Sequence, residues 1–259
     1  MRHRGTSAIL RLDGTGGRSI QERSHENVKL DFVGVGSTWV GKTRWSCGAR
    51  GFILLSMPAR FPVAGDRKLI QIVDAALAGA AKKSGEWLVC RPGCTQCCVG
   101  VFAINQLDAL RLQRGLADLE ECDPERAAAV RSRASEAVAR LAHEFPGDPV
   151  SGILDEGDEA ETLFADFAND EPCPALDPAT GNCELYESRP MTCRVFGPPV
   201  QSEDGLSVCE LCYHGASDAE IAACEMKPDP DNLEDALLSK AEKSAGRHGN
   251  TIIAYCLAD

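Results

Sequence analysis

The sequence predicts a mainly α fold: helices packed around a loop-rich cysteine-cluster metal centre, with little regular sheet. Three observations predict it. Apolar residues recur at helical spacing, with recognisable caps, in several segments from residue 66 onward. Pro and Gly concentrate between those segments. Thirteen cysteines are present, and nine of them fall in the Pro/Gly-rich stretches.

The first helix spans 66–83, with Leu69, Ile70, Val73, Ala76 and Leu77 on one face. Asn105 caps a second helix that runs to about residue 119, with Asp108 placed as in a capping box and Leu107, Leu110 and Leu112 available to the core. Asp123-Pro124-Glu125 starts a third, Asp as cap and Pro in the first turn. It extends to about Phe145, and Gly147 and Pro149 stop it. Residues 151–168 read as an acidic helix, and 217–226 and 231–245 as two more. In the last of these, Lys240, Lys243 and Arg247 lie towards the C-terminal end, where cations suit the helix dipole.

The chain has 259 residues, 44% hydrophobic and only 5% aromatic, so its core is built from Ala, Leu, Val and Ile. Its net charge of -12 argues against nonspecific nucleic-acid binding and against an anionic membrane surface. Charge is uneven: residues 1–56 hold nine Lys/Arg and four Asp/Glu, a net of +5. At Met57 the character changes. We expect residues 1–56 to be translated upstream sequence or a disordered tail, the alternative being a basic arm for an acidic partner, and residues 57–259 to form the cysteine-cluster domain, with its motif core at 90–212. The basic N-terminus lacks the apolar stretch of a secretory signal. The expected location is therefore cytoplasmic, a reducing compartment where clustered thiols serve metal or redox chemistry instead of disulfides.

Residues 36–43 read GSTWVGKT, a formal match to the phosphate-binding loop. Such a loop needs a long helix after it, yet Gly48, Gly51 and Pro58 follow closely. We read it as a chance match.

The first cysteine cluster is Cys90-x3-Cys94-x2-Cys97-Cys98, with Pro92 and Gly93 turning the chain between the first two. Four thiols within nine residues can converge on one ion, whether zinc or the irons of a cluster. Cys173, Cys183 and Cys193 follow, each separated from the next by nine residues, in a segment broken by Pro174, Pro178, Gly181 and Pro190. Arg189 and Arg194 stand beside them. Cations near sulfur favour the ligating thiolate and offset an anionic cluster, so both are candidate cofactor-binding residues; the plainer role is pairing with acids such as Glu184 or Glu187. Cys209-x2-Cys212 adds a further pair, with His214 behind it, which is more often a surface residue than a ligand. Cys47, Cys122, Cys224 and Cys256 are isolated, and the last two fit an apolar core.

At these residues the sequence resembles the YkgJ-type cysteine-cluster family of zinc- or iron-chelating domains, to which the flagellin lysine N-methylases are related. The resemblance rests on the first cluster and the VFAINQLDALRL after it, on CPALD at Cys173, and on C-x-L-Y-x-x-R-P-x-x-C-R-V-F from Cys183 to Phe196. It covers about residues 90–199. It implies that Cys90, Cys94, Cys97, Cys98, Cys173, Cys183 and Cys193 are cluster cysteines, with Tyr186, Arg189, Pro190 and Arg194 as accompanying positions. The Cys209/Cys212 pair lies beyond it. The spacing of Cys90, Cys94 and Cys97 also matches that of radical S-adenosylmethionine enzymes, and so is compatible with a 4Fe-4S cluster.

Three functions compete. The first is an iron–sulfur or zinc centre that is structural or carries electrons. The second is a cluster-dependent enzyme, a protein-lysine methyltransferase or an oxidoreductase, with a protein substrate or redox partner. The third is metal chelation for delivery. S-adenosylmethionine enters only through the resemblance, because no methyl-donor site is recognisable in the chain.

Overall fold

The computed structural model describes residues 63–202 and 205–258, together with the backbone of two strands, β1 (Ile9–Leu12) and β2 (Arg18–Ser19). The expectations for Met57, for GSTWVGKT and for Cys47 lie outside the described residues. The architecture is mainly α, with eight helices among the described residues and only short strands.

Helix α1 (Asp66–Ser84) buries Leu69, Ile70, Val73 and Ala80. A short strand, β3 (Ala103–Ile104), leads into α2 (Gln106–Cys122). Asn105 caps α2 as predicted: its Oδ1 accepts the Asp108 N–H at 2.9 Å. The capping box is only half made, because the Asp108 carboxylate turns inward, accepting from Arg111 and from the Met191 N–H. Helix α3 (Pro124–Leu141) begins at the predicted Asp123 cap, which accepts the Arg126 N–H at 3.2 Å.

The expected helix over 151–168 is a hairpin followed by a shorter helix. Strand β4 (Gly147–Asp148) pairs antiparallel with β5 (Ile153–Leu154), and α4 (Asp158–Ala165) starts only after Gly157. The cause is local. The Asp148 carboxylate accepts the N–H groups of Val150 and Ser151, which competes with helix formation. Gly152, at φ +69°, lies under Tyr255, where a Cβ would come within 2.5 Å of the ring.

A five-residue helix, α5 (Met191–Val195), interrupts a segment expected to be loop-rich. Strands β6 (Val200–Ser202) and β7 (Gly205–Cys209) follow and form a four-stranded antiparallel sheet in the order β2-β1-β7-β6. Helix α6 (Asp218–Ala223) carries a full capping box between Ser217 and Glu220. After it come α7 (Leu233–Ala245), β8 (Thr251–Ile252) and α8 (Ile253–Ala258). The sequence did not signal α8, whose six residues are too few to show a period.

Two of the apolar clusters flank α2. Leu112 and Leu116 of α2 pack with Ala127, Val130 and Ala134 of α3 and with Ile253 and Leu257 of α8. On the other side of α2, Leu107 joins Leu69, Ile70 and Val73 of α1 and Leu237 and Ala241 of α7. Between these clusters, the buried Arg111 guanidinium donates to Asp66 and Asp108. No described helix is long and apolar enough to cross a membrane.

Candidate metal centre

Four stretches of chain bring the predicted cysteines together. The 90–98 loop turns twice, with the Cys94 N–H donating to Arg91 O and the Cys98 N–H to Thr95 O. It then pairs with the stretch before Cys173: the Cys173 N–H donates to Cys98 O at 2.8 Å, the Gly100 N–H to Glu171 O at 2.9 Å, and Val99 bridges Pro172. This pairing sets Cys97 and Cys98 beside Cys173.

The next nine residues fold back on themselves. The Asp177 N–H donates to Asn182 O, the Gly181 N–H to Asp177 O and the Glu184 N–H to Ala175 O, so that Cys183 bridges Leu176 and returns to Cys173. Asp177 and Gly181 are turn formers, which is why the spacing of nine works.

Cys193 arrives on α5. The Met191 N–H at its start donates to Asp108 Oδ1 at 3.0 Å, and Arg194 ties its end down. The Arg194 guanidinium donates to Asp74 at 2.8 Å and to the carbonyls of Arg189 and Glu187. Arg194 is thus a brace between α1 and the 187–194 loop. Arg189 sits closer to the sulfurs: its charge favours the thiolates of Cys97 and Cys183. Its guanidinium lies 3.9 Å over the Tyr186 ring. Neither arginine pairs with Glu184, which takes Arg126 instead.

The last pair comes by a separate route. The Cys209 N–H donates to Gly197 O at 3.4 Å, and the Cys212 N–H to Cys209 O at 2.9 Å. The Tyr213 N–H donates to Trp87 O, and Tyr213 Oη lies 2.5 Å from Ser84 Oγ, which draws the turn onto the chain just before Cys90. Cys90 Sγ and Cys212 Sγ stand 3.9 Å apart. Gln96 also reaches Glu210 across the two loops.

Eight of the nine thiols thus form two contact sets. In one, Cys90 shares hydrogen bonds with Cys209 and Cys212, which raise the Cys90 thiol; Cys209 and Cys90 in turn lower Cys212. In the other, Cys97 and Cys98 hydrogen bond, Cys97 lowered and Cys98 raised. The charges of Cys173 and Cys183 reach Cys98, and those of Cys173, Cys97 and Cys183 reach Cys193. Burial pushes Cys173 up to about 12 and raises Cys183 and Cys193 as well, so these thiols are neutral until something replaces their protons. The sets are neighbours, since Cys209 is felt at Cys97. Cys94 lies on the turn between Gly93 and Thr95, which pack around Gly181.

The donors fit a thiophilic metal in kind and number: all nine are free thiols. The 3.9 Å separation is that of two ligands on one tetrahedral ion, which at about 2.3 Å from the ion stand about 3.8 Å apart. Among the described residues, no three His, Cys, Asp or Glu side chains are closed around a single point. Binding would have to draw the last sulfurs in.

Cys224 and Cys256 are buried core residues, as expected; Cys256 Sγ donates to Ala109 O at 3.2 Å. His214 lines a groove with Glu86, Trp87, Val89, Leu211 and Tyr213. Sequence reasoning missed the ion network of Asp66, Asp108 and Arg111 behind Cys193, because the links from Arg111 to Asp66 and from Asp108 to Met191 span 45 and 83 residues. It also missed Gly197, whose missing side chain leaves room for Cys90 Sγ 3.0 Å from where a Cβ would stand. The signal available was a glycine immediately before Pro198 and Pro199.

Residues 89–213 match the family model CxxCxxCC, described as a putative zinc- or iron-chelating domain. No curated protein and no solved structure matches the chain significantly. The match spans the interval from just before Cys90 to just after Cys212, so it includes the pair that the resemblance did not reach.

Proposed function

We propose, from the match of residues 89–213 to the model of a zinc- or iron-chelating cysteine-cluster family, that the protein holds a metal centre on Cys97, Cys98, Cys173, Cys183 and Cys193, with an iron–sulfur cluster as the favoured occupant and zinc as the alternative. One observation carries the reading. Separate stretches of chain are folded back so that five free, half-buried thiols share one neighbourhood. Burying neutral thiols so densely gains little packing that Val or Ala would not supply, whereas an ion replaces their protons and turns binding energy into folding energy.

One feature supports a cluster over a lone zinc. Arg189 places a cation where an anionic cluster needs compensation, and outer charges and hydrogen bonds are what tune such centres. When bound, the group supplies electron transfer or simply cross-links the loops; the chain's own residues position the sulfurs, exclude water from them and neutralise charge.

The same reading puts the protein in a reducing compartment, with a protein substrate or redox partner in preference to nucleic acid or membrane, in line with its net charge of -12. The test is purification without oxygen, followed by assay of iron, acid-labile sulfide and zinc alongside the visible spectrum. A brown protein with iron and sulfide in similar amounts is expected. Colourless protein with stoichiometric zinc would select the alternative, and metal-free folded protein would refute both.

A further inference from the structure

We propose that Cys90, Cys209 and Cys212 form a second, separate site that takes a single thiophilic divalent cation of the zinc type. The inference rests on the metal-binding reading above and deepens it by dividing the thiols between two centres.

The geometry of this set suits a single ion. Cys90 and Cys212 sulfurs lie 3.9 Å apart, the edge of a tetrahedron around one ion, and Cys209 is in hydrogen-bond contact with both. Cys209 and Cys212 belong to a tight turn closed by the Cys212 N–H to Cys209 O bond. Such a turn directs two sulfurs the same way, as C-x2-C does in structural zinc sites.

The surroundings differ from those of the other set. Cys90, Cys209 and Cys212 pack with Trp87, Leu88, Val208 and Phe196, whereas Cys173 and Cys183 pack against the α2–α3–α8 layer. The chain has also been fitted to the Cys90 sulfur. Gly197, at φ +121°, passes so close that any Cβ would lie 3.0 Å from it, and the same residue's carbonyl holds Cys209.

On binding, each thiol gives its proton to solvent and its sulfur to the ion, with no change of oxidation state. Three thiolates from the chain would leave one tetrahedral position for water or an exogenous ligand, the ligand count of open zinc sites.

The full-length wild-type chain, made metal-free under anaerobic conditions, is titrated with zinc and then alkylated, and each cysteine is read by peptide mass mapping. Cys90, Cys209 and Cys212 are expected to become protected together, in a step separate from the protection of Cys97, Cys98, Cys173, Cys183 and Cys193. A Cys209→Ser/Cys212→Ser variant should lose one zinc equivalent and keep protection of the five. The proposal is overturned if all eight are protected in one step, or if only the five are. If none is protected, the metal-binding reading falls, and this site with it. The wild-type map decides the matter even if the variant does not fold.

Discussion

Replacing Arg111 with Met tests how the site is held. The Arg111 guanidinium is 4% exposed and donates to Asp66, fully buried, and Asp108, 2% exposed, with N–O distances from 2.5 to 3.2 Å. Met fills much of the volume but leaves two carboxylates buried without their cation. Breaking such a network by removing one partner costs about 3–5 kcal/mol, which for a folded unit of this size is a fall of about 6–20 °C in melting temperature. The cost should depend on pH. Burial already raises the Asp108 carboxyl above its ordinary value, and Arg111 is the strongest influence opposing that rise. Without Arg111 the folded state holds its proton to still higher pH than the unfolded state does. Where the folded state binds more protons, stability falls as pH rises. The deficit of Arg111→Met should therefore be larger at pH 7.5 than at pH 5, read as urea midpoints of the metal-loaded protein. Because Asp108 also receives the Met191 N–H, the variant should loosen α5 and weaken metal retention by Cys193. A variant within about 1 kcal/mol of native at both pH values would refute the reasoning, since that is the range of an exposed pair.

Three further outcomes are expected. A Cβ at Gly115 would lie 2.4 Å from Ser188 Cβ, so Gly115→Leu should cost about 1–3 kcal/mol by overpacking, seen as a lower urea midpoint. Gly197→Ala meets both a left-handed backbone and the Cys90 sulfur, so native mass spectrometry should show reduced metal occupancy with a stability loss of about 1–3 kcal/mol. Stripping metal with a strong chelator should unfold the cysteine loops, since ligation supplies on the order of 10 kcal/mol in structural sites; circular dichroism that stays native after full removal would point to a delivery role instead.

The parts of the fold that were legible in the sequence are those fixed by short-range chemistry. Asn105, Asp123-Pro124 and Ser217 begin helices because their side chains or ring serve the first free N–H groups locally. The region after residue 147 misled because its acidic residues suit a helix, while the Asp148 turn competes with a helix locally and the close fit of Gly152 under Tyr255 depends on a partner about a hundred residues away. The same division holds at the site. Cysteine spacing announced the candidate ligands, since turns at Pro92-Gly93 and between Asp177 and Gly181 are local. Which sulfurs meet was not legible, because it follows from the Cys98–Cys173 pairing and from the Tyr213 anchor on Trp87. Arg194 illustrates the limit: the sequence placed it beside a cluster cysteine, and the fold turns its guanidinium to Asp74.

X-ray absorption at the metal edge of the anaerobically purified full-length protein addresses the central claim most directly, because it reports the atoms bonded to the metal. Sulfur neighbours alone, at about 2.3 Å, are the result expected of thiolate ligation. A first shell of nitrogen or oxygen at about 2.0–2.2 Å would mean that these cysteines do not hold the metal.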